Sequence, residues 1–324
     1  MHQARYMKSA LVTSYTQLPA FDDFQDPAPT ENETLIKVTA AGIHPIVKAL
    51  ANGTHYGSSG KFPFIPGVDG VGTTPDGRRV FFGIARPPFG SMAQYTLAGD
   101  FMIDLPKSVD DAFAAAAANP AMSSWAALTI RAKFQPGESV LILGATGAAG
   151  QLAVQIAKHL GARRVVACGR NAAALNELTG LGADATITLT LPPDDLVEAF
   201  RNEIATNGAD VVLDYLWGAH AEALLSAIAQ KGLSHHAPRI RFIQIGSSAG
   251  PAITLPASHL RSSGVELLGS GFGSASMDEL RIAIKQFFEA CSKKPFQTKF
   301  VARPLEEVAS AWAEPNEPRV VLRP

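Results

Sequence analysis

The chain has 324 residues, enough for two domains, and hydrophobic residues make up 47% of it, which is ample for packed cores. A formal net charge of −1 gives no reason to expect nucleic acid or a membrane surface as a partner. Its two cysteines, Cys168 and Cys291, are far apart in sequence, so we expect no disulfide framework and a reducing, cytoplasmic location.

The first hundred or so residues are predicted to form strands and turns. Short β-prone runs alternate there with Pro, Gly and Asp clusters, and they cover residues 11–15, 33–41, 79–82 and 93–97. After Asp110 the pattern becomes helical. An alanine run at 114–118 is followed by Asn119-Pro120, which predicts a break, and by a second helix at 123–132 that Ser123 or Ser124 would cap.

From residue 138 onward the chain alternates between predicted strands and helices. The strands are expected at 140–143, 164–168, 184–189, 210–215, 239–245 and 265–268, with intervening helices that include 193–205 and 220–230. This succession predicts a parallel, doubly wound sheet, which binds its ligand at the carboxyl ends of the strands. The last segment, 277–324, shows one amphipathic helix and β-prone ends.

A glycine-rich turn lies between the first of these strands and the helix carrying Leu152, Ile156 and Leu160. The order of strand, turn and helix is that of a dinucleotide-binding unit, in which glycine lets the backbone approach a pyrophosphate at a helix N-terminus. Because alanine stands at the first glycine position of the fingerprint, a purely structural turn is the alternative. The residues predicted to bind the cofactor here are Ala145, Thr146, Gly147, Ala148, Ala149 and Gly150.

The end of the second strand indicates which dinucleotide binds. NAD enzymes usually carry an Asp or Glu there for the ribose 2′-hydroxyl, whereas this chain has Gly169, Arg170 and Asn171. A guanidinium suits a 2′-phosphate, with which it forms bidentate hydrogen bonds. We therefore predict NADP as the cofactor, with a solvated surface arginine as the alternative.

Five further motifs, in order and at the right intervals, resemble a known family. They are A-A-G-I-H-P at 40–45, F-I-P-G-V-D-G-V-G at 64–72, L-A-V-Q-I-A-K at 152–158, G-A-D at 182–184 and D-V-V-L-D at 210–214. The chain resembles the zinc-free medium-chain dehydrogenases/reductases of the quinone oxidoreductase-like (zeta-crystallin-like) family over nearly its whole length.

The resemblance implies a particular α/β fold, a doubly wound parallel Rossmann sheet inserted into a GroES-like, partly open β-barrel domain. The barrel domain would comprise 1–118 plus 270–324, the dinucleotide-binding domain 119–269, and the active site would lie in the cleft between them. Relatives often dimerise through the last strand of the nucleotide domain, so a homodimer is a further expectation.

The metal ligands of zinc-dependent relatives are missing from the sequence. Those enzymes use a Cys in the region of 41–44 and a His-Glu pair after Pro-Gly, where this chain has Val68-Asp69. His44 and Asp69 alone do not supply the usual three protein ligands, and two cysteines cannot build a four-cysteine structural site. We predict no metal and, as the reaction, hydride transfer from NADPH to a small-molecule quinone or α,β-unsaturated carbonyl.

Two side chains are predicted to donate a proton or hydrogen bond to the substrate, His44 and Tyr56; a backbone-bonded loop histidine and a wall tyrosine are the alternatives. Ser123 matches a position where relatives touch the nicotinamide. The remaining predicted cofactor-binding residues follow the fifth and sixth strands and are Gly246, Ser247, Ser248, Gly269, Ser270, Gly271 and Phe272. An enoyl-thioester reductase and a non-catalytic NADPH-binding sensor or structural protein remain alternative functions.

Overall fold

A computed structural model describes residues 5–229, 237–271 and 273–324 of the chain. The chain forms two compact units, the first made of Met1–Asn119 and Ile284–Pro324 and the second of Pro120–Ala283. The limits predicted from the sequence, 1–118 plus 270–324 and 119–269, stay a proposal for the functional domains.

The first unit is built mainly from antiparallel strands. Up to its long helix it contains β1 (Tyr6–Leu11), β2 (Ala20–Gln25), β3 (Thr34–Gly42), α1 (Pro45–Ala51), β4 (Asp69–Thr73), β5 (Arg79–Gly83), β6 (Tyr95–Ala98), β7 (Met102–Asp104) and the start of α2 (Asp111–Ala126). Strands β1 and β2 form a hairpin of their own, whereas β3 pairs with both β4 and β6, and β5 pairs with β4 and β7. The alternation of apolar and polar residues along β1 and β3 buries one face of each strand, as expected for antiparallel sheets.

The helix α2 differs from its prediction. Asn119-Pro120 does not end it, so Ser123 and Ser124 lie inside the helix rather than at an N-cap. Their hydroxyl groups donate to the Pro120 carbonyl at 2.7 and 3.3 Å. The predicted break was wrong because residues 114–118 are completely buried alanines, and this burial outweighs the cost of an internal proline. A π-helical turn, Ala127–Arg131, extends the helix.

The second unit has alternating strands and helices. They are β8 (Ser139–Leu143), α3 (Ala148–His159), β9 (Arg164–Gly169), α4 (Ala172–Gly180), β10 (Ala185–Thr188), α5 (Pro193–Asn207), β11 (Val211–Asp214), α6 (Gly218–Ile228), β12 (Arg239–Gln244), α7 (Ala257–Arg261) and β13 (Gly264–Gly269). All six strands are parallel, in the order β10-β9-β8-β11-β12-β13. This is the doubly wound order of dinucleotide-binding sheets.

The chain then returns to the first unit through α8 (Met277–Lys293), β14 (Phe300–Pro304), α9 (Val308–Ala313) and β15 (Arg319–Arg323). Strand β15 joins β3 antiparallel and β14 parallel, which completes a sheet whose path runs β14-β15-β3-β4-β5-β7. Trp312 and Val308 of α9 pack with Met7, Ile43 and Met92 in the core of this unit. In the part of the chain that is described, no helix has the length and apolar character needed to cross a membrane.

Candidate functional site

The strand order of the second unit reverses between β8 and β11, and the loops after these two strands meet there. Gly144, which follows β8, has a φ of +88°, a conformation that glycine adopts without strain. A Cβ atom on it would lie 3.0 Å from Leu216 and 3.3 Å from Tyr215, the residues that follow β11. The carboxyl edge of a parallel sheet at such a reversal is where this fold binds its ligand.

The glycine turn leads directly into α3, whose N-cap residue is Gly147. A Cβ atom on Gly147 would find only the Gly144 carbonyl oxygen, at 3.8 Å, whereas a Cβ atom on Gly150 would lie 2.3 Å from that same oxygen. Gly150 therefore allows the helix to pack against the turn, and Gly147 leaves the backbone at the helix N-terminus open to a ligand. The turn fits the pyrophosphate of a dinucleotide, an anion that a helix N-terminus attracts.

The carboxyl end of β9 places a cation beside this turn. A Cβ atom on Gly169 would touch the Thr146 side chain at 2.5 Å, so the two loops are in close contact. Arg170 is exposed, and among the described residues it has no ion-pair partner. Asn171 caps α4, since its side chain accepts a hydrogen bond from the Ala174 N–H at 3.1 Å. The free guanidinium fits the 2′-phosphate of NADP.

The loops after β12 and β13 border the same edge of the sheet. The Gly246 N–H donates to the Asp214 carbonyl at 3.1 Å, and the Ser248 hydroxyl donates to the Tyr215 carbonyl at 3.0 Å. A cavity of about 410 Å³ lies here and contains Ser247 and Gly269 in its wall, together with Trp217, Gln244, Pro251, Leu267 and Leu268. Phe272 lies outside the described residues, and the assignment of all these residues to cofactor binding stays a prediction.

Tyr215 is a residue of this edge that the sequence analysis missed. Its hydroxyl lies 2.8 Å from that of Ser124, its Cβ atom is close to Gly144, and its backbone is close to Gly246. Burial raises the pKa of Tyr215 to about 12, so the hydroxyl stays protonated at neutral pH. The signal in the sequence was its place at the carboxyl end of a strand of the predicted sheet, 210–215.

Asp214 stabilises the loop after β11 through buried hydrogen bonds. Its side chain is completely buried at the end of β11, and one carboxylate oxygen accepts from the N–H groups of Leu216 and Trp217 at 2.8 and 2.9 Å. The other oxygen has no hydrogen-bond partner among the described residues. Burial raises the pKa of Asp214 to about 6 despite the two backbone donors, which stabilise the charged form.

In the first unit the structure brings His44 close to Asp69. His44 precedes α1 and has no exposed surface, and its Nε2 lies 3.4 Å from one oxygen of the Asp69 carboxylate. The other Asp69 oxygen accepts from the Asn119 side-chain amide at 2.8 Å. His44 therefore has no surface open to solvent in this structure, and its role as a donor stays a prediction.

Tyr56, unlike His44, is exposed to solvent. Its side chain is 88% exposed, and its ring lies 4.1 Å from that of His55. The loop that carries it is ordered by its own contacts, because the Gly57 N–H donates to His55 Nδ1 at 3.0 Å and the Gly60 N–H donates to the Tyr15 hydroxyl at 2.6 Å. Its phenol group is therefore free to meet a ligand.

The residues present do not fit a zinc ion. Among the described residues, no group of three or more His, Cys, Asp or Glu side chains is placed to hold a metal. Both cysteines are buried, and burial raises the pKa of the Cys291 thiol to about 12 and that of Cys168 further. Burial therefore disfavours the thiolate form, which is the form that binds zinc.

Known proteins resemble this chain in sequence and in fold. Residues 148–289 match the model of the zinc-binding dehydrogenase family. The chain is 29% identical to a probable NADPH-dependent quinone reductase of Emericella nidulans over 98% of this chain and 100% of that protein. It is 30% identical to the chloroplastic NADPH-dependent alkenal/one oxidoreductase of Arabidopsis thaliana, over 49% of this chain and 46% of that protein.

Among solved structures, the quinone oxidoreductase of Thermus thermophilus superposes with a TM-score of 0.79 at 25% identity, covering 98% of this chain and 100% of that one. The sheet order, the glycine turn and these similarities are those of the medium-chain dehydrogenases/reductases. Within that class, the chain is similar to the quinone oxidoreductases. The predictions of the family, of the Rossmann sheet with a GroES-like domain and of an oxidoreductase are thereby confirmed.

Proposed function

We propose that the protein is an NADPH-dependent, zinc-independent oxidoreductase that reduces a quinone or an α,β-unsaturated carbonyl by hydride transfer. The observation that carries this proposal is an open glycine turn at the N-terminus of α3 beside the exposed Arg170, whose guanidinium has no ion-pair partner among the described residues. The first accepts a pyrophosphate and the second a 2′-phosphate, and together they select NADP among the nicotinamide cofactors. Relatives described as NADPH-dependent support the same cofactor.

When bound, the cofactor supplies a hydride from its reduced nicotinamide. The chain's own residues have to hold the acceptor, exclude water and stabilise the oxyanion or enolate that develops as the acceptor gains electrons. We assign that last role to the Tyr56 hydroxyl, because it is exposed and can donate a proton or hydrogen bond. His44 is enclosed, so its role is to position residues near it by pairing with Asp69.

The acceptor is tested by mixing the purified protein with NADPH or NADH and one of five acceptors: a benzoquinone, a naphthoquinone, an enone, an enal and an enoyl-thioester. We expect steady NADPH consumption with a quinone or with the enone and enal, unchanged by a strong metal chelator. Consumption only with the enoyl-thioester would favour the alternative reductase. Tight NADPH binding without turnover on any acceptor would favour a sensor and contradict the proposal.

Cofactor choice is tested separately with Arg170→Ala. Loss of charge-assisted hydrogen bonds to a 2′-phosphate should weaken NADPH binding about 10- to 100-fold and leave NADH binding nearly unchanged. Dissociation constants from fluorescence titration would measure this. Arg201→Ala, which removes an exposed arginine paired with Glu198, is the matched control. Equal losses for the two cofactors would refute the role of Arg170.

A further inference from the structure

Arg131, in the second unit, forms hydrogen bonds with the backbone on both sides of the loop that follows β13. Arg131 is the last residue of the π-helical turn, and its Nε donates to the Gly269 carbonyl at 2.7 Å. Its Nη1 donates to the Ser274 carbonyl at 3.0 Å. The two carbonyl groups stand before and after residues 270–273, so one planar guanidinium ties together both ends of this short loop. A guanidinium is suited to this because its donors have a fixed geometry.

Further hydrogen bonds hold Ser270, Gly271 and Ser274 in place. The Ser270 N–H donates to the Gln244 carbonyl at the end of β12, at 2.8 Å. The Gly271 N–H donates to the Ser274 hydroxyl at 2.7 Å, and that hydroxyl returns a bond to the Gly271 carbonyl at 2.9 Å. Ser270 and Gly271 are two of the residues predicted to bind the cofactor.

The backbone that presents Arg131 is itself anchored. The Ala132 N–H donates to the Ala127 carbonyl at 2.8 Å, a bond that spans five residues and defines the π-turn. The Ala132 carbonyl accepts from Arg241 at 2.8 Å, and the buried Arg241 is also paired with Glu138 at 2.6 Å. The backbone next to Arg131 is therefore bonded to β12, and the Arg131 side chain extends from it toward the loop.

The position of the loop after β13 along the sheet indicates which part of a dinucleotide it would contact. Arg170 follows β9, the glycine turn follows β8, and the loop of residues 270–274 follows β13 at the far end of the same carboxyl edge. A dinucleotide with its 2′-phosphate at Arg170 and its pyrophosphate at Gly147 has to extend toward β11, β12 and β13. The loop held by Arg131 is thus on the nicotinamide side.

We propose that Arg131 is a positioning residue of the cofactor site, which holds Ser270, Gly271 and Ser274 ready for the nicotinamide half of NADPH. This inference rests on the proposed function, since it concerns the same cofactor. Arg131 does not touch the reacting atoms. It acts by lowering the entropy that the loop would otherwise lose when the cofactor binds, because a preorganised site loses less freedom on binding.

The proposal is tested by replacing Arg131 and measuring the binding of two ligands. Arg131→Met keeps much of the side chain's volume and removes the donors, and Arg131→Lys keeps the charge but cannot bond both carbonyls in the fork geometry. Arg281→Met, at an exposed arginine paired with Asp278 in the same unit, is the control. The ligands are NADPH and 2′,5′-ADP, which represents the adenosine half alone.

We expect Arg131→Met to raise the dissociation constant for NADPH about tenfold, while that for 2′,5′-ADP stays within about twofold of the wild-type value. Arg131→Lys should lie between Met and wild type, and Arg281→Met should match wild type for both ligands. Amide hydrogen exchange at Ser270 and Gly271 in the free protein should be faster in Arg131→Met than in wild type. If Arg131 acted only in folding, Arg131→Met would change the dissociation constants for NADPH and 2′,5′-ADP alike.

Three results would overturn this role. The first is unchanged NADPH binding in Arg131→Met, and the second is an equal loss of affinity for NADPH and 2′,5′-ADP. The third is wild-type NADPH affinity in Arg131→Lys, because the positive charge alone would then explain the effect. If Arg131→Met does not fold, Arg131→Lys decides the question by its NADPH affinity relative to its 2′,5′-ADP affinity. A wild-type protein that binds neither ligand would overturn the proposed function and this inference with it.

Discussion

Three buried polar side chains show how the surroundings of a single residue decide its role. Arg241 is paired with Glu138 and a backbone carbonyl, so its charge is compensated and it stabilises the second unit. Asp214 has two backbone donors on one oxygen and, among described residues, no partner on the other. His44 faces Asp69 in an enclosed site. The sequence shows each residue but not its partners.

Asp214 gives a prediction about stability and pH. Its pKa is about 6 in the folded protein and near 3.8 when unfolded, so the folded state binds more protons between these values. The contribution of this group to stability is therefore full below pH 4 and falls as pH rises through 6. Above that pH, Asp214→Asn should be more stable than wild type by about 1–3 kcal/mol, because the amide stays neutral and still accepts from both N–H groups.

Urea denaturation of both proteins between pH 4 and pH 8 would measure the difference. The two free energies of unfolding should converge toward pH 4 and separate toward pH 8. Parallel curves over this range would show that the carboxyl group titrates with its ordinary pKa in the folded protein.

At the scale of the elements, the strand, turn and helix at 139–159 contain one glycine with a packing role and one with a proposed binding role. Gly150 is pressed against the Gly144 carbonyl, whereas Gly147 faces open space at the helix N-terminus. The fingerprint in the sequence contains both glycines but does not tell their functions apart. The distances in the folded turn do so, since only one of the two positions has room for a methyl group.

The two glycines can be separated by substitution with alanine. Gly150→Ala puts a methyl group 2.3 Å from a backbone oxygen and should lower the free energy of unfolding by about 1–3 kcal/mol. Gly147→Ala should cost less than about 1 kcal/mol in stability but weaken NADPH binding at least about tenfold, because its methyl group occupies the path of the pyrophosphate. Urea denaturation and NADPH titration of each variant test this. A similar loss of stability in both variants would contradict the assignment.

The helix α2 is the element for which local signals failed. Asn and Pro at 119–120 are typical of a helix end, and serine at 123 and 124 is typical of a helix start. Burial of the alanines at 112 and 114–118 and at 121 keeps the helix continuous, and the two serines bond back to the Pro120 carbonyl instead. Tertiary packing overrides capping preferences when an apolar segment is fully buried.

At the scale of the whole molecule, the parallel sheet was predictable and the construction of the first unit was less so. Buried strands such as 140–143 and 211–214 are continuous apolar runs bounded by turns. This pattern is visible in the sequence even when the neighbouring strands are unknown. Strand β15 joins β3 from nearly 280 residues later in the chain, as the pairing of Val321 with Gly42 shows, and β14 pairs with β15. Such long-range pairing came from the family resemblance and not from local pattern. The cytoplasmic location and the homodimer stay predictions.

The sequence by itself predicted a dinucleotide that carries a 2′-phosphate, because the glycine turn and Arg170 are signals local to two loops. The tertiary structure alone decided which polar groups meet. It enclosed His44 with Asp69, left Tyr56 exposed, brought Tyr215 to Ser124 and carried Arg131 to a loop about 140 residues away. Those contacts depend on how helices and strands pack, and residues distant in sequence carry no local signal of it.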